Sequence, residues 1–351
     1  MTRVVFAIPG DIETRTGGYA YDRALLAGLR AQGVDVAHLP LGASFPEPTA
    51  DDLSAAIAEL SDLPADTIAL VDALAYAVLP PEALSMIAAP LVALVHHPLA
   101  DETGLSAKQR RAFEASEIAA LAHASAVVTT SQTTADILTR RFAVPAEAIT
   151  VALPGLDPAA FQQNRPVAPP SIVSVGTLIP RKGYDVLLGA LSTLGDLMWT
   201  AHIVGSDARH PMLPAILRET AAEPPLAGRV HFHGELGVDA IRALFADATV
   251  FALASRNEGF GMVFAEAMAA GIPVVGCAAG AVPEVVPPEA GILVPIDDRN
   301  ALARALRLMI TDRPTRDRYA HAARKRAEAL PSWPDSARTV ATRLNSLAES
   351  L

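Results

Sequence analysis

Short, almost wholly apolar runs alternate along this chain with longer stretches whose apolar positions recur every three to four residues. RVVFAI (3–8) opens the series, and a polar loop, 9–18, follows it. Ala24, Leu25, Gly28 and Leu29 then fall at helical spacing, which predicts a helix over 19–32 that Gly33 ends. The same reading places strands at 34–39, 67–72, 91–95, 125–131 and 149–154, with helices at 51–60, 106–123 and 132–141. Residues 157–171, DPAAFQQNRPVAPPS, are polar, proline-rich and without periodicity, and are read as a linker. Beyond them the alternation restarts. Strands are expected at 171–176, 200–205, 229–234, 248–253, 273–276 and 292–294. Helices are expected near 183–194, 211–222, 237–246, 261–270, 299–311, 314–329 and 333–349. Apolar strands alternating with helices predict parallel sheets covered on both faces, joined by right-handed crossovers.

The 351 residues exceed what one core usually supports, so two domains are expected. A net charge of −10 argues against a general nucleic-acid binder. One cysteine, Cys277, rules out an intrachain disulfide, and its VVGCAAG surroundings read as buried packing. The opening residues carry too short an apolar run for a signal peptide, and no run reaches membrane-spanning length. The expectation is a cytoplasmic protein.

The densest chemistry lies in FALASRNEGFGMVFAEAMAAGIPVVG, residues 251–276. A strand, a glycine turn and a helix start make an anion cradle, because free backbone N–H groups and the helix dipole converge there. Glu258 and Glu266 bracket it. Apolar residues surround Glu266 in sequence, so its carboxylate is expected to need a buried partner. Arg181-Lys182-Gly183 follow the strand at 171–176, which puts two cations at the carboxyl edge of a parallel sheet. Arginine offers phosphate a bidentate fork and lysine a point charge.

Thr16-Gly17-Gly18 open the first helix, and their glycines let backbone approach an anion. Their spacing is not the dinucleotide fingerprint, and no acidic residue ends the second strand, which weighs against a nicotinamide dehydrogenase. His96-His97 end an apolar strand, where a histidine can polarise a hydroxyl; one of the two is expected to be structural. His231 and His233 alternate on a strand but lack a third ligand, so no metal site is expected. Asp297-Asp298 read as helix capping. Lys108, Arg110 and Arg111 read as a solvated helix face, with weak contact to a membrane surface as the alternative.

These motifs, in this order and over nearly the whole length, resemble the retaining glycosyltransferases of family 4. The matching segments are Val175-Gly176 through Arg181-Lys182-Gly183, VHFHG (230–234), and Ser255 with Glu258 to Glu266 in an E-x7-E pattern. Glu284, Gly291-Ile-Leu-Val, Pro154-Gly155-Leu156-Asp157 and Gly17-Gly18 complete the set. The resemblance implies an α/β fold of GT-B type: two Rossmann-like, doubly wound parallel-sheet domains facing across a cleft. The first, acceptor-side domain would take 1–165 and the returning helix 333–351; the donor-binding domain would take 166–332.

The resemblance also implies roles. Glu266 would hold the donor ribose. Glu258, with the backbone of Phe260, Gly261, Met262 and Val263, would hold the donor sugar and diphosphate. Arg181 and Lys182 would neutralise the leaving diphosphate, and Gly17-Gly18 would close on it. His97, or His96, would stand near the sugar and acceptor. Thr177 occupies a position where many relatives carry arginine, which puts more weight on Arg181. The implied reaction moves a hexosyl group from a nucleotide-diphosphate sugar to a hydroxyl of a glycan, lipid or small molecule, with retention and without metal or other cofactor. The expected assembly is a monomer or homodimer and the expected location cytoplasmic, with peripheral contact at the inner membrane face as the alternative. The competing readings are another GT-B enzyme, such as a sugar-nucleotide epimerase, and a non-catalytic sugar-binding protein.

Overall fold

A computed structural model describes residues 2–162 and 164–350. They form two compact units, 1–155 with 331–351, and 156–330.

The first unit is built on six parallel strands: β1 (Arg3–Pro9), β2 (Asp35–Leu41), β3 (Thr67–Asp72), β4 (Leu91–Val95), β5 (Ala126–Thr129) and β6 (Ile149–Val151). Their spatial order is β2-β1-β3-β4-β5-β6. The direction of winding reverses between β1 and β3. In open α/β sheets, ligands bind at such a reversal, beyond the carboxyl ends of the strands. Every residue of β3 and β4 is buried, and apart from Thr67 and Asp72 at the ends of β3 all are apolar.

The Trp333–Glu349 helix packs in this unit against the Gly17–Ala31 helix. Close approach is possible because Gly28 has no side chain: a Cβ there would sit 2.5 Å from Ala337 Cβ. Ser332 and Asp335 form a capping box at its start, and Ser336 Oγ donates to the Leu153 carbonyl at 2.5 Å.

The second unit has its own six parallel strands: β7 (Ser171–Val175), β8 (Thr200–Val204), β9 (Val230–Phe232), β10 (Val250–Leu253), β11 (Val274–Cys277) and β12 (Gly291–Val294). The order here is β12-β11-β10-β7-β8-β9, so winding reverses between β7 and β10. Phe245, Phe251 and Phe264 form an edge-to-face chain through its core, at centroid spacings of 6.0 and 5.4 Å.

Two expectations need correcting. The 157–171 stretch is not a free linker but part of the second unit. Asn164 Nδ2 donates to the carbonyls of Phe245 and Ala248, both at 2.7 Å, and Arg165 N donates to Ala246 O at 2.7 Å. The units therefore part at Gly155–Leu156 rather than at 165–166. Three four-residue helices, Ala73–Tyr76, Pro81–Leu84 and Val282–Val285, are too short for apolar periodicity to register. No helix among the described residues is long and apolar enough to cross a membrane.

Candidate functional site

At the reversal point of the second sheet, two loops interlock. One follows β7 and carries Arg181 and Lys182; the other follows β10 and carries Ser255 to Glu258. Gly183 makes this possible. It adopts φ 64°, and a Cβ would run into the carbonyl of Ala254. Arg256 N then donates to Arg181 O at 2.7 Å, and Arg181 Nη1 donates to Asn257 O at 2.9 Å. The Arg256 guanidinium pairs with Asp185 and Asp297, both at 2.8 Å, and reaches the Pro180 carbonyl. Arg256 is thus the structural rivet, which leaves Arg181 and Lys182 to face the buried carboxylate.

That carboxylate is Glu258, 7 % exposed. Its Oε1 accepts from Lys182 Nζ at 2.7 Å and from Ser255 Oγ at 2.5 Å, and its Oε2 lies 3.4 Å from Arg181 Nη1. Burial alone raises the pKa of this acid. The two cations and the Ser255 hydroxyl outweigh burial and hold it below the ordinary glutamate value. Its backbone is fixed as well: Ala281 N donates to Glu258 O at 2.9 Å, and Gly280 leaves room for that approach. The sequence pattern includes Ser255 in its matching segment but gives it no role; here it is a hydroxyl donor to Glu258.

The helix that follows, Met262–Ala269, is capped by Gly261 at φ 96°. Gly261 and Phe260 are buried, while Met262, Val263 and Glu266 are part-exposed. Positions 262, 263 and 266 share one helical face. The expected buried partner for Glu266 is therefore absent, for a geometric reason: its side chain belongs to the half-open face. It has no hydrogen-bond partner among the described residues. Surrounding bulk raises its pKa, which the charge of Arg242 partly offsets.

The reversal point of the first sheet holds a second cluster. Gly17 and Gly18 are the first residues of their helix, with Thr16 as N-cap. Gly18 faces the His96 ring: a Cβ on it would lie 3.6 Å from Cδ2. His96 Nε2 sits between Asp22 Oδ1, at 3.1 Å, and Asp72 Oδ2, at 3.4 Å. Tyr21 closes the cluster with an edge-to-face contact on His96 and a hydrogen bond to Ala152 O at 2.9 Å.

Desolvation disfavours the His96 cation, but the two carboxylates prevail and raise its pKa to about 10. Burial raises Asp22 to about 6 against the pull of His96. Both directions describe one arrangement, an imidazolium shared by two aspartates at neutral pH. Asp22 and Asp72 are the functional candidates that sequence reasoning missed. His97 instead pairs with Glu102 at 3.3 Å. Of the two histidines, the structure puts His96 beside the glycine turn.

The segment after His97 is held by Glu117, whose two oxygens accept from Leu99 N at 2.7 Å and Ala100 N at 3.0 Å. Burial pushes this carboxyl up to about 7. Lys108, Arg110 and Arg111 lie exposed on the Ala107–Leu121 helix, and Arg110 donates to the Ala100 carbonyl at 3.1 Å. Cys277 is buried, and burial pushes its thiol up to about 11, which fits packing rather than nucleophilic use. Asp298 caps the Arg299–Thr311 helix, whereas Asp297 is held by Arg256.

Replacing His96 by glutamine leaves Asp22 and Asp72 buried together without their cation. The expected loss is about 2 kcal/mol at pH 8. Stabilisation by the imidazolium is complete below its unfolded pKa near 6.5 and fades as pH rises through about 10. The gap between wild type and variant should therefore close as pH rises from 8 to 10, as urea denaturation at the two pH values would reveal. A gap that is constant with pH would rule out the charged pairing.

Two family models cover most of the chain. "Glycosyl transferase 4-like domain" matches residues 4–155 and "Glycosyl transferases group 1" matches residues 157–326. The chain belongs to the GT-B glycosyltransferases of family 4 type. Among curated relatives, the MMP alpha-(1->4)-mannosyltransferase of Mycolicibacterium hassiacum is 30 % identical over 72 % of this chain and 64 % of its own length. A D-inositol 3-phosphate glycosyltransferase of Stackebrandtia nassauensis is 29 % identical over 58 % of this chain and 51 % of its own. The alignments thus span between half and two thirds of those relatives. Among solved structures, the fold matches sucrose-phosphate synthase from Thermosynechococcus elongatus with a TM-score of 0.83 at 21 % identity, over 99 % of this chain and 100 % of that one. It also matches Anabaena HepE in complex with UDP and glucose, with a TM-score of 0.77 at 19 % identity, over 99 % and 100 %.

Proposed function

We propose that this glycosyltransferase-family chain moves a hexosyl group from a nucleotide-diphosphate sugar to a hydroxyl acceptor, with retention of anomeric configuration and without a metal ion. The observation that carries this reading is the Arg181–Lys182–Glu258 cluster at the strand-order reversal of the second sheet. Two cations are fixed there by one carboxylate. A departing diphosphate needs this kind of preorganised charge, because it acts without reorganisation as negative charge develops. The cations supply the neutralisation that a divalent ion supplies in other transferases, which supports the metal-independent reading.

Roles follow from placement. The free N–H groups of Met262 and Val263, at a helix start, suit the diphosphate. Glu266, on the same face, suits the ribose hydroxyls. Glu258 orients Lys182 and Arg181 and reaches the donor sugar. It is a poor covalent nucleophile because both its oxygens are already committed to cations and to Ser255. Retention is then best served by front-face attack, in which the leaving phosphate oxygen takes the acceptor proton. Acceptor recognition is assigned to the first unit, with His96 as its polar element; His97 is the weaker candidate.

The Anabaena neighbour is solved with UDP and with UDP-glucose, and one mannosyltransferase relative from Corynebacterium glutamicum is named as GDP-mannose-dependent. Both bases therefore belong in the test. In thermal shift, UDP or GDP at a hundredfold excess over Kd should stabilise the protein by about 2.7 kcal/mol. Free nucleoside diphosphate should then accumulate only when an acceptor is present. Failure of every nucleotide diphosphate to raise Tm would overturn the donor assignment. Turnover without acceptor that yields an epimerised sugar nucleotide would replace transfer with epimerisation.

A further inference from the structure

At the outer edge of the second sheet, three histidines meet. His231 and His233 alternate on and just after β9, so both project from one face. The sequence alone offers them no third ligand. The fold supplies it: His202 of β8 is the direct Cα partner of His231 in the parallel register. His202 Nδ1 lies 2.9 Å from His233 Nε2. The His202 ring stacks on both others, at centroid distances of 5.3 Å to His231 and 5.2 Å to His233. His231 and His233 are exposed and His202 is half-buried.

We propose that His202, His231 and His233 form a surface site for a divalent first-row transition metal of the zinc type. Imidazole nitrogens are its natural donors, while magnesium and calcium prefer oxygen. Two nitrogens bound tetrahedrally to one zinc, at about 2.0–2.1 Å from it, stand roughly 3.4 Å apart. His202 and His233 are a few tenths of an ångström from that spacing. The three rings do not yet bring one nitrogen each within 4.8 Å of one another, so His231, exposed on the strand, would turn toward the other two to complete the set, with water in the fourth position. A His-X-His pair on one strand with a third histidine on its neighbour places three imidazoles on one face. The ion would staple the three-residue edge strand β9 to β8. In the strand order, β8 and β9 lie on the far side of β7 from β10, which leads to Glu258. Metal binding here is independent of the donor assignment.

The test is calorimetric titration of the full-length protein with zinc chloride, together with NMR of the histidine ring protons in the presence of paramagnetic Co2+. The expected result is one equivalent of zinc, with cobalt broadening confined to His202, His231 and His233. His202→Gln and His233→Gln should each weaken zinc binding by roughly tenfold or more while the circular dichroism spectrum in EDTA stays native. Two results would overturn the proposal: zinc affinity unchanged in both variants, or cobalt broadening centred on His96. Because the NMR arm uses the unsubstituted protein, it decides the question even if a variant fails to fold.

Discussion

Glu258→Ala is expected to lower turnover by about 10³-fold, the range seen when a preorganised charge-stabilising group is lost. The reasoning starts from what the carboxylate holds. Lys182 and Arg181 are only 14 % and 15 % exposed, and Glu258 is their shared anion. Without it the two cations repel each other, and neither keeps the position required by a leaving diphosphate. Truncation also strands buried charge, so about 3 kcal/mol of stability should go with it.

Glu258→Gln separates the two effects. The amide keeps the shape and can still accept from Ser255, but it carries no charge. If turnover of the glutamine variant stayed near wild type, the charge-based role would be refuted. The pH dependence supplies a second check. Because the folded pKa lies below the unfolded value near 4.5, the contribution of Glu258 to stability is present above that value and disappears as pH falls through the folded one. The acid limb of the stability profile should be shallower in Glu258→Gln than in wild type, measured by denaturant unfolding between pH 3 and pH 6.

Gly183→Ala is expected to cost about 4 kcal/mol, a value at the top of the range for single substitutions. Two penalties combine. The φ of 64° disfavours any side chain, and the new methyl would strike the Ala254 carbonyl, which is part of the backbone and cannot swing away. The loop after β7 would have to lift off the end of β10. The Arg256 N to Arg181 O hydrogen bond would be lost with it, and Lys182 would be pulled from Glu258. Calorimetry should show a Tm lower by about 10 °C. Donor binding should fall even at temperatures where the variant is folded. A variant with native Tm and native affinity would show that the two loops are not locked together through this glycine.

The strands and long helices were legible because buried parallel strands are continuously apolar and amphipathic helices repeat at their own period. Strand order was not legible. No local pattern tells β1 that its neighbours are β2 and β3, or β10 that it lies beside β7. Since order fixes the reversal points, the sequence could name Arg181, Lys182 and Glu258 but could not show them in contact. Asp22 is the sharpest loss. On the helix it is one polar residue among several; only the fold of β3 and β4 beside β1 buries it against His96. His96 and His97 differ by a single step, and a single step at a strand end reverses the direction of the side chain. His202 was invisible for the same reason as strand order: its partners lie about thirty residues ahead, joined by register alone. The proline-rich 157–171 stretch misled in the other direction, because irregular backbone can be firmly held by hydrogen bonds, as Asn164 shows.

The Trp333–Glu349 helix has a consequence for how the chain is made. It covers the Gly17–Ala31 helix, yet all of 156–330 lies between them in sequence. On the ribosome, the second unit therefore has every residue it needs before the first one does. The usual vectorial order, with the amino-terminal domain finishing first, is inverted. Val340 and Leu344, both at 0 % exposure in the finished fold, are made only after all of the second unit. Until then the face of the Gly17–Ala31 helix that the Trp333–Glu349 helix covers, around Gly28, stays open to solvent.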